Sequence, residues 1–201
     1  MERYLLLLKS YKRMPPALEQ TLLESIHPLT VRKHDIIQPF GTFTDNLYFV
    51  EKGLFHLYVE KDGMKITLRF KTEDEFIIAL EDLFRQANVK GTGIEALEDG
   101  VLWLFPGSLV SELKEKYHQF GLQFSTILTK DWISMEQARN CSSEGGGSDN
   151  YDHLRASFPE LLDRVPISYL AKFTEIPEHI FRHLHFSKIK LNASTARRRK
   201  R

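Results

Sequence analysis

The spacing of apolar positions changes along the chain, and each change predicts a different kind of element. A four-leucine run after Tyr4 opens an amphipathic helical segment that reaches about Ile26. Short runs rich in β-branched and aromatic residues then predict strands over 31–37, 46–51, 54–60, 64–70, 93–97 and 101–105. Asp62-Gly63, between Tyr58-Val59 and Ile66-Thr67-Leu68, is a hairpin signal, because both residues tolerate the left-handed backbone of a two-residue turn. Strands at this spacing form an antiparallel barrel or roll, not a parallel α/β sheet. Helix returns after Pro106, with Ser108 as the expected N-cap. A stripe of Leu109, Leu113, Tyr117, Phe120, Phe124, Ile127, Leu128, Trp132 and Met135 continues it, with a break expected at Gly121. Such a stripe needs a partner surface, either its own domain or the same helix of a second subunit.

Ser142-Ser-Glu-Gly-Gly-Gly-Ser-Asp-Asn150 has the composition of a flexible linker and marks a domain boundary. Beyond it, 164–186 reads as two short helices around a tight turn. Pro166 and Pro177 each suit a first helical position. Ile167, Leu170, Ala171 and Phe173, then Ile180, Phe181 and Leu184, give each helix one buried face. One reading is a helical hairpin that only packs; the other is a helix-turn-helix whose second helix enters a DNA major groove. In the second reading Ser168, Lys172, Glu178, His179, Arg182, His183 and Lys188 are the candidate contacts to base edges and phosphates.

Composition sharpens this division. From Tyr151 onward Lys and Arg outnumber Asp and Glu by 11 to 5, whereas before it the balance is 17 to 22. A basic end on a mildly acidic body fits a sensor joined to a polyanion-binding module. Part of the charge is the run Arg197-Arg-Arg-Lys-Arg201, a tail that carries no sequence specificity. Cys141 is the lone cysteine, which excludes an intramolecular disulfide and fits a reducing cytoplasm. The four-leucine run is too short for a signal segment or a membrane span. His179 and His183 share a helix face but lack a third ligand, so no metal is assigned. No cofactor is implied, Lys90-Gly-Thr-Gly93 is better read as a turn than a phosphate loop, and no nucleophile-base-acid set points to an enzyme.

The order of elements, together with Asn46-Leu-Tyr-Phe-Val-Glu-Lys-Gly53, Ile94-Glu-Ala-Leu-Glu-Asp99 and Phe158-Pro-Glu-Leu-Leu-Asp-Arg-Val-Pro166, resembles the CRP/FNR superfamily of dimeric bacterial transcription regulators, in particular its Bacteroidetes-type branch. The resemblance covers about 15–190. It implies an α+β chain: an N-terminal antiparallel β-roll, a jelly roll like that of cyclic-nucleotide-binding domains, with flanking helices and a long dimerisation helix (1–140). A linker (141–150), a C-terminal helix-turn-helix (151–190) and a basic tail (191–201) follow. It further implies DNA as partner, a homodimer and a small-molecule effector. Matched position by position, the family's phosphate-binding Gly-Glu becomes Asp74-Glu75, and Lys90 replaces its arginine. Glu75, Phe76, Lys90 and Thr92 are thus the candidate ligand residues, and cyclic AMP is not the expected effector: Asp74 adds a charge beside any phosphate, and a lysine lacks the guanidinium fork. The pocket takes another small molecule or is filled by its own side chains. In the DNA-reading half the turn glycine and cap hydroxyl are replaced by Thr174 and Ile176, and the small residue before Arg182 by Phe181. The alternative to specific DNA reading is a ligand-binding or protein-interaction module with a degenerate helix-turn-helix.

Overall fold

The computed structural model describes residues 2–78, 91–142 and 146–187. The chain divides into two compact units, Met1–Ser134 and Met135–Arg201.

The first unit opens with α1 (Arg3–Tyr11) and α2 (Pro16–Ser25). The single helical segment expected here is two helices, because Pro15 is extended, with ψ 145°, while Pro16 has the fixed φ that suits a first helical turn. Eight strands follow among the described residues: β1 (His27–Val31), β2 (Ile36–Gln38), β3 (Leu47–Lys52), β4 (Phe55–Lys61), β5 (Met64–Lys71), β6 (Phe76–Ile77), β7 (Gly93–Ala96) and β8 (Gly100–Phe105). The strand expected over 31–37 is instead a corner between β1 and β2. There the Asp35 carboxylate accepts the Arg32 amide at 2.7 Å and His34 is left-handed, with φ 74°. Strand β6 has no two-residue alternation to announce it; it pairs with Tyr48 and Phe49 inside the apolar run that begins at Phe76.

All pairings are antiparallel, in two four-stranded sheets ordered β1-β8-β3-β6 and β2-β7-β4-β5. The β4–β5 hairpin closes on Asp62 and Gly63 at φ 52° and 74°, the two left-handed residues its sequence demands. Val50, Phe55, Leu57, Ile77, Ile94, Ala96 and Leu102 are buried together and fill the inside of the roll. A second apolar cluster joins the helices to the roll: Tyr4, Leu8, Leu18 and Leu22 with Phe49, Phe105, Leu113, Phe120, Phe124 and Ile127. Burying a side chain of this size is worth about 1.5–3 kcal/mol, so this cluster anchors α1 and α2 on the sheets.

Two helices run on from the roll, α3 (Gly107–Lys116) and α4 (His118–Asn140). Ser108 does not cap α3. The cap residue is Pro106, and the Gly107 amide donates instead to the Asn46 side chain at 3.3 Å. A Cβ at Gly107 would fall 2.5 Å from the Asp45 carbonyl oxygen, so only glycine permits that approach. The helix break lies at Tyr117, in extended conformation, and Gly121 sits inside α4. The stripe on α4 is shared between two surroundings. Phe120, Phe124 and Ile127 are buried in the unit's own core, while Leu122, Trp132 and Ile133 are exposed.

The second unit holds α5 (Gly147–Ser157), α6 (Leu161–Arg164), α7 (Ile167–Phe173) and α8, helical over 178–187. Its buried apolar residues are Ala138, Cys141, Tyr151, Leu154, Leu161, Val165, Leu170, Ala171, Phe173, Ile176 and Phe181. The expected linker is helical from Gly147, and Asn150 is buried, its amide donating to the Thr174 carbonyl at 3.0 Å.

Candidate functional site

The turn between α7 and α8 is built from backbone hydrogen bonds that close the end of α7. The Ile176 amide donates to the Ala171 carbonyl at 2.9 Å, and the Glu175 amide to the Lys172 carbonyl at 3.2 Å. This six-to-one and five-to-two pair around a left-handed residue is a Schellman motif. The left-handed residue is Glu175, at φ 56°, and not Thr174, where the family's glycine is expected. Thr174 is fully buried, its hydroxyl bonded back to the Leu170 carbonyl at 2.8 Å. Ile176 is the apolar residue that follows the left-handed position and is buried, which is why a cap hydroxyl is absent there. Both prolines lie one residue earlier than expected, Pro166 as the cap of α7 and Pro177 just before α8.

That turn presents α8 with Phe181 inward. Phe181 is fully buried, its ring 5.3 Å from Tyr151 in an edge contact and 6.4 Å from His185 in a stack. The bulky side chain is therefore a core residue and does not stand among the contact candidates. Ile180, expected on the buried face, is 42% exposed instead. Glu178, His179, Arg182 and His183 lie on α8 outside the core, and Ser168 and Lys172 likewise on α7. Lys188 lies outside the described residues. The Arg182 guanidinium donates two hydrogen bonds to one Glu178 oxygen, at 2.6 and 3.1 Å. An exposed pair one turn apart is worth a few tenths of a kcal/mol, so it orients Arg182 without committing it.

The ligand candidates separate. Glu75 and Phe76 line a cavity of about 290 Å³ together with Leu7, Tyr11 and Ile127, and with Lys71, Asp74, Lys130 and Asp131. Thr92 is buried but does not line this cavity, and Lys90 lies outside the described residues. Asp74, in place of a glycine, takes a left-handed conformation at φ 66°, and its carboxylate accepts a hydrogen bond from Arg3. The Glu75 carboxylate is likewise engaged: it accepts the Thr72 amide at 2.8 Å and the Lys71 ammonium at 3.1 Å.

Sequence reasoning missed the charged cluster behind Glu75. Lys71 pairs with Asp131 as well, at 3.0 Å, and Arg69 bonds Asp131 at 2.7 Å and the Ile78 carbonyl at 3.1 Å. Arg69, Lys71 and Asp131 are all buried. Buried charges cost several kcal/mol each to desolvate, so they persist only when closely paired. The signal is present in β5, where Arg69 and Lys71 share one face, but polar alternation ordinarily marks the solvent side; a register shift opposite Leu57 and Tyr58 puts Thr67 on the other face, with Tyr58 and His56. A second polar group in the roll is also new. His56, fully buried, contacts Thr67 Oγ1 at 2.9 Å and Glu95 at 3.3 Å, and Glu95 accepts from Lys65 at 2.6 Å and contacts His34 at 3.1 Å. Burial lowers the His56 pKa against the pull of Glu95. Burial alone would raise Glu95, but the hydrogen bonds from Lys65, His34 and His56 outweigh it and hold the carboxyl below its usual range.

Comparison with known proteins places this geometry. Residues 28–117 match the family model of the cyclic nucleotide-binding domain. No curated protein sequence matches the chain. Among solved structures, a protein assigned to the CRP/FNR family of transcriptional regulators, from Eubacterium rectale, is similar at 12% identity and a TM-score of 0.67, over 88% of this chain and 85% of that one. FixK2 from Bradyrhizobium japonicum follows at 12% identity and 0.65, over 84% and 86%. A CRP-family transcriptional regulator from Thermus thermophilus is similar at 14% identity and 0.60, over 82% and 85%. At such identities the likeness is one of fold, and the two-sheet roll of the first unit is that of a cyclic nucleotide-binding domain.

Proposed function

We propose that this chain is a DNA-binding transcription regulator of CRP/FNR type, in which the roll responds to a small molecule other than cyclic AMP and α7 and α8 form a helix-turn-helix. The observation that carries the reading is the surface of α8. A buried Phe181 and a closed Schellman turn hold it on the unit, while Glu178, His179, Arg182 and His183 face outward. An arginine on the first turns of a recognition helix can bond guanine with both arms of its fork, which a packing hairpin has no need to expose. The exposed Leu122, Trp132 and Ile133 of α4 support a homodimer, which would bring two such helices to a two-fold symmetric operator.

The test is binding of the whole chain to a randomised duplex pool, followed by anisotropy on the enriched sequences. Arg182→Ala is expected to weaken binding to the enriched duplex by about 1–3 kcal/mol and to relax preference at one base position. Failure of any sequence to enrich from low to moderate salt would leave the alternative, a module whose helix-turn-helix no longer reads DNA.

A further inference from the structure

We infer that the cavity between α1, α4 and the β5–β6 turn is a binding site for a small monocarboxylate with an apolar body, held by Lys130. This deepens the sensor half of the proposed function, and its test is a ligand titration that does not depend on DNA binding.

The argument begins with charge. Three carboxylates line the cavity, and each has a cation of its own: Asp74 has Arg3, Glu75 has Lys71, and Asp131 has Arg69 as well as Lys71. Lys130 lines the same cavity and pairs with no carboxylate among the described residues. Its ammonium stands 4.5 Å from the centre of the Tyr11 ring, a cation–π contact that fixes the charge at the cavity without neutralising it. Among the described residues, counting Arg3 and Arg69 with those that line the cavity, the site carries one uncompensated positive charge, and a monoanion balances it.

Size and walls define the rest of the molecule. The remaining lining is apolar, from Leu7, Tyr11, Phe76 and Ile127. About 290 Å³ lies at the small end of ligand cavities and suits a single ring or a short chain. A second anionic group would meet Asp74 and Glu75 with no further cation among the described residues to receive it, which disfavours dianions. Because Leu7 and Tyr11 belong to α1 and Ile127 and Lys130 to α4, the ligand would bridge the N-terminal helix to the long helix.

Benzoate is the probe, with benzamide as its uncharged counterpart of the same shape and inorganic phosphate as charge without an apolar body. Titration of the full chain, followed by NMR shifts and calorimetry, is expected to give saturable binding of benzoate at about 1 mM or below. Benzamide and phosphate should each bind at least about 10-fold more weakly. Lys130 is exposed on α4, so Lys130→Met leaves the core intact and should reduce benzoate affinity by about 10-fold, while Lys130→Arg retains it. Equal binding of benzamide, undiminished binding in Lys130→Met, or no saturation by about 10 mM benzoate would each overturn the assignment.

Discussion

Two side chains show how burial decides what a residue does. Arg182 and Phe181 are neighbours in sequence, yet one is on the surface of α8 and the other is fully enclosed beneath it. The sequence pattern puts Ile180, Phe181 and Leu184 on one buried face; Phe181 is enclosed there, whereas Ile180 is 42% exposed. His56 offers a direct test of burial. Its pKa in the folded chain lies below the unfolded value of about 6.5. The unfolded chain therefore takes up the proton first, and stability contributed by neutral His56 is present above pH ~6.5 and lost as pH falls through the folded value. Glu95 adds a separate loss further down, because its lowered carboxyl is protonated in the unfolded chain first. Urea denaturation over a pH series should show stability declining below pH ~6.5 with a slope of at most about 1.4 kcal/mol per pH unit from this histidine. His56→Gln should flatten that limb below about pH 6.5 while leaving the later decline that Glu95 contributes.

At the scale of elements, legibility follows local chemistry. The hairpin at Asp62-Gly63 and the helices on either side of 174–176 are readable because left-handed residues, prolines and apolar spacing leave local marks. Strand β5 is readable as a strand but not in its orientation. Ile66 and Leu68 are exposed, and a register shift opposite Leu57 and Tyr58 splits the polar residues between faces: Thr67 meets His56 on one, Arg69 and Lys71 meet Asp131 on the other, and all three are buried by partners from distant segments. No local pattern announces a carboxylate 62 positions away. The expected cap of α3 fails for the same reason, because Asn46 lies outside the helix it serves. The α7–α8 turn gives the converse case, in which a local cost is plain. Glu175 adopts a left-handed conformation that costs a residue with a Cβ roughly 1 kcal/mol. Glu175→Gly should therefore raise stability by about 0.5–1 kcal/mol in thermal or denaturant unfolding, provided the Schellman bonds remain.

For the whole molecule, composition and strand spacing are enough to announce the β-roll, whereas the division into units, expected at a linker, falls within a helix. Both halves of α4 carry apolar residues, and only contact with the roll decides which of them join the core. Phe120, Phe124 and Ile127 are enclosed; Trp132 and Ile133 are left outside, at 55% and 51% exposure. A homodimer would cover them. Trp132→Glu is expected to shift sedimentation from dimer to monomer, with loss of about 2 kcal/mol or more of association energy, and to leave the fold of the roll unchanged. The division at Ser134 also bears on how the molecule can be cut. A fragment ending there would finish three residues beyond Asp131, within the last helical turn, whose carbonyls lose their partners and fray. Fraying would reach the carboxylate shared by Arg69 and Lys71, leaving the buried Arg69 without its anion and Lys71 with Glu75 alone. An isolated roll therefore keeps its charge balance only if it carries α4 at least about one turn beyond Ser134.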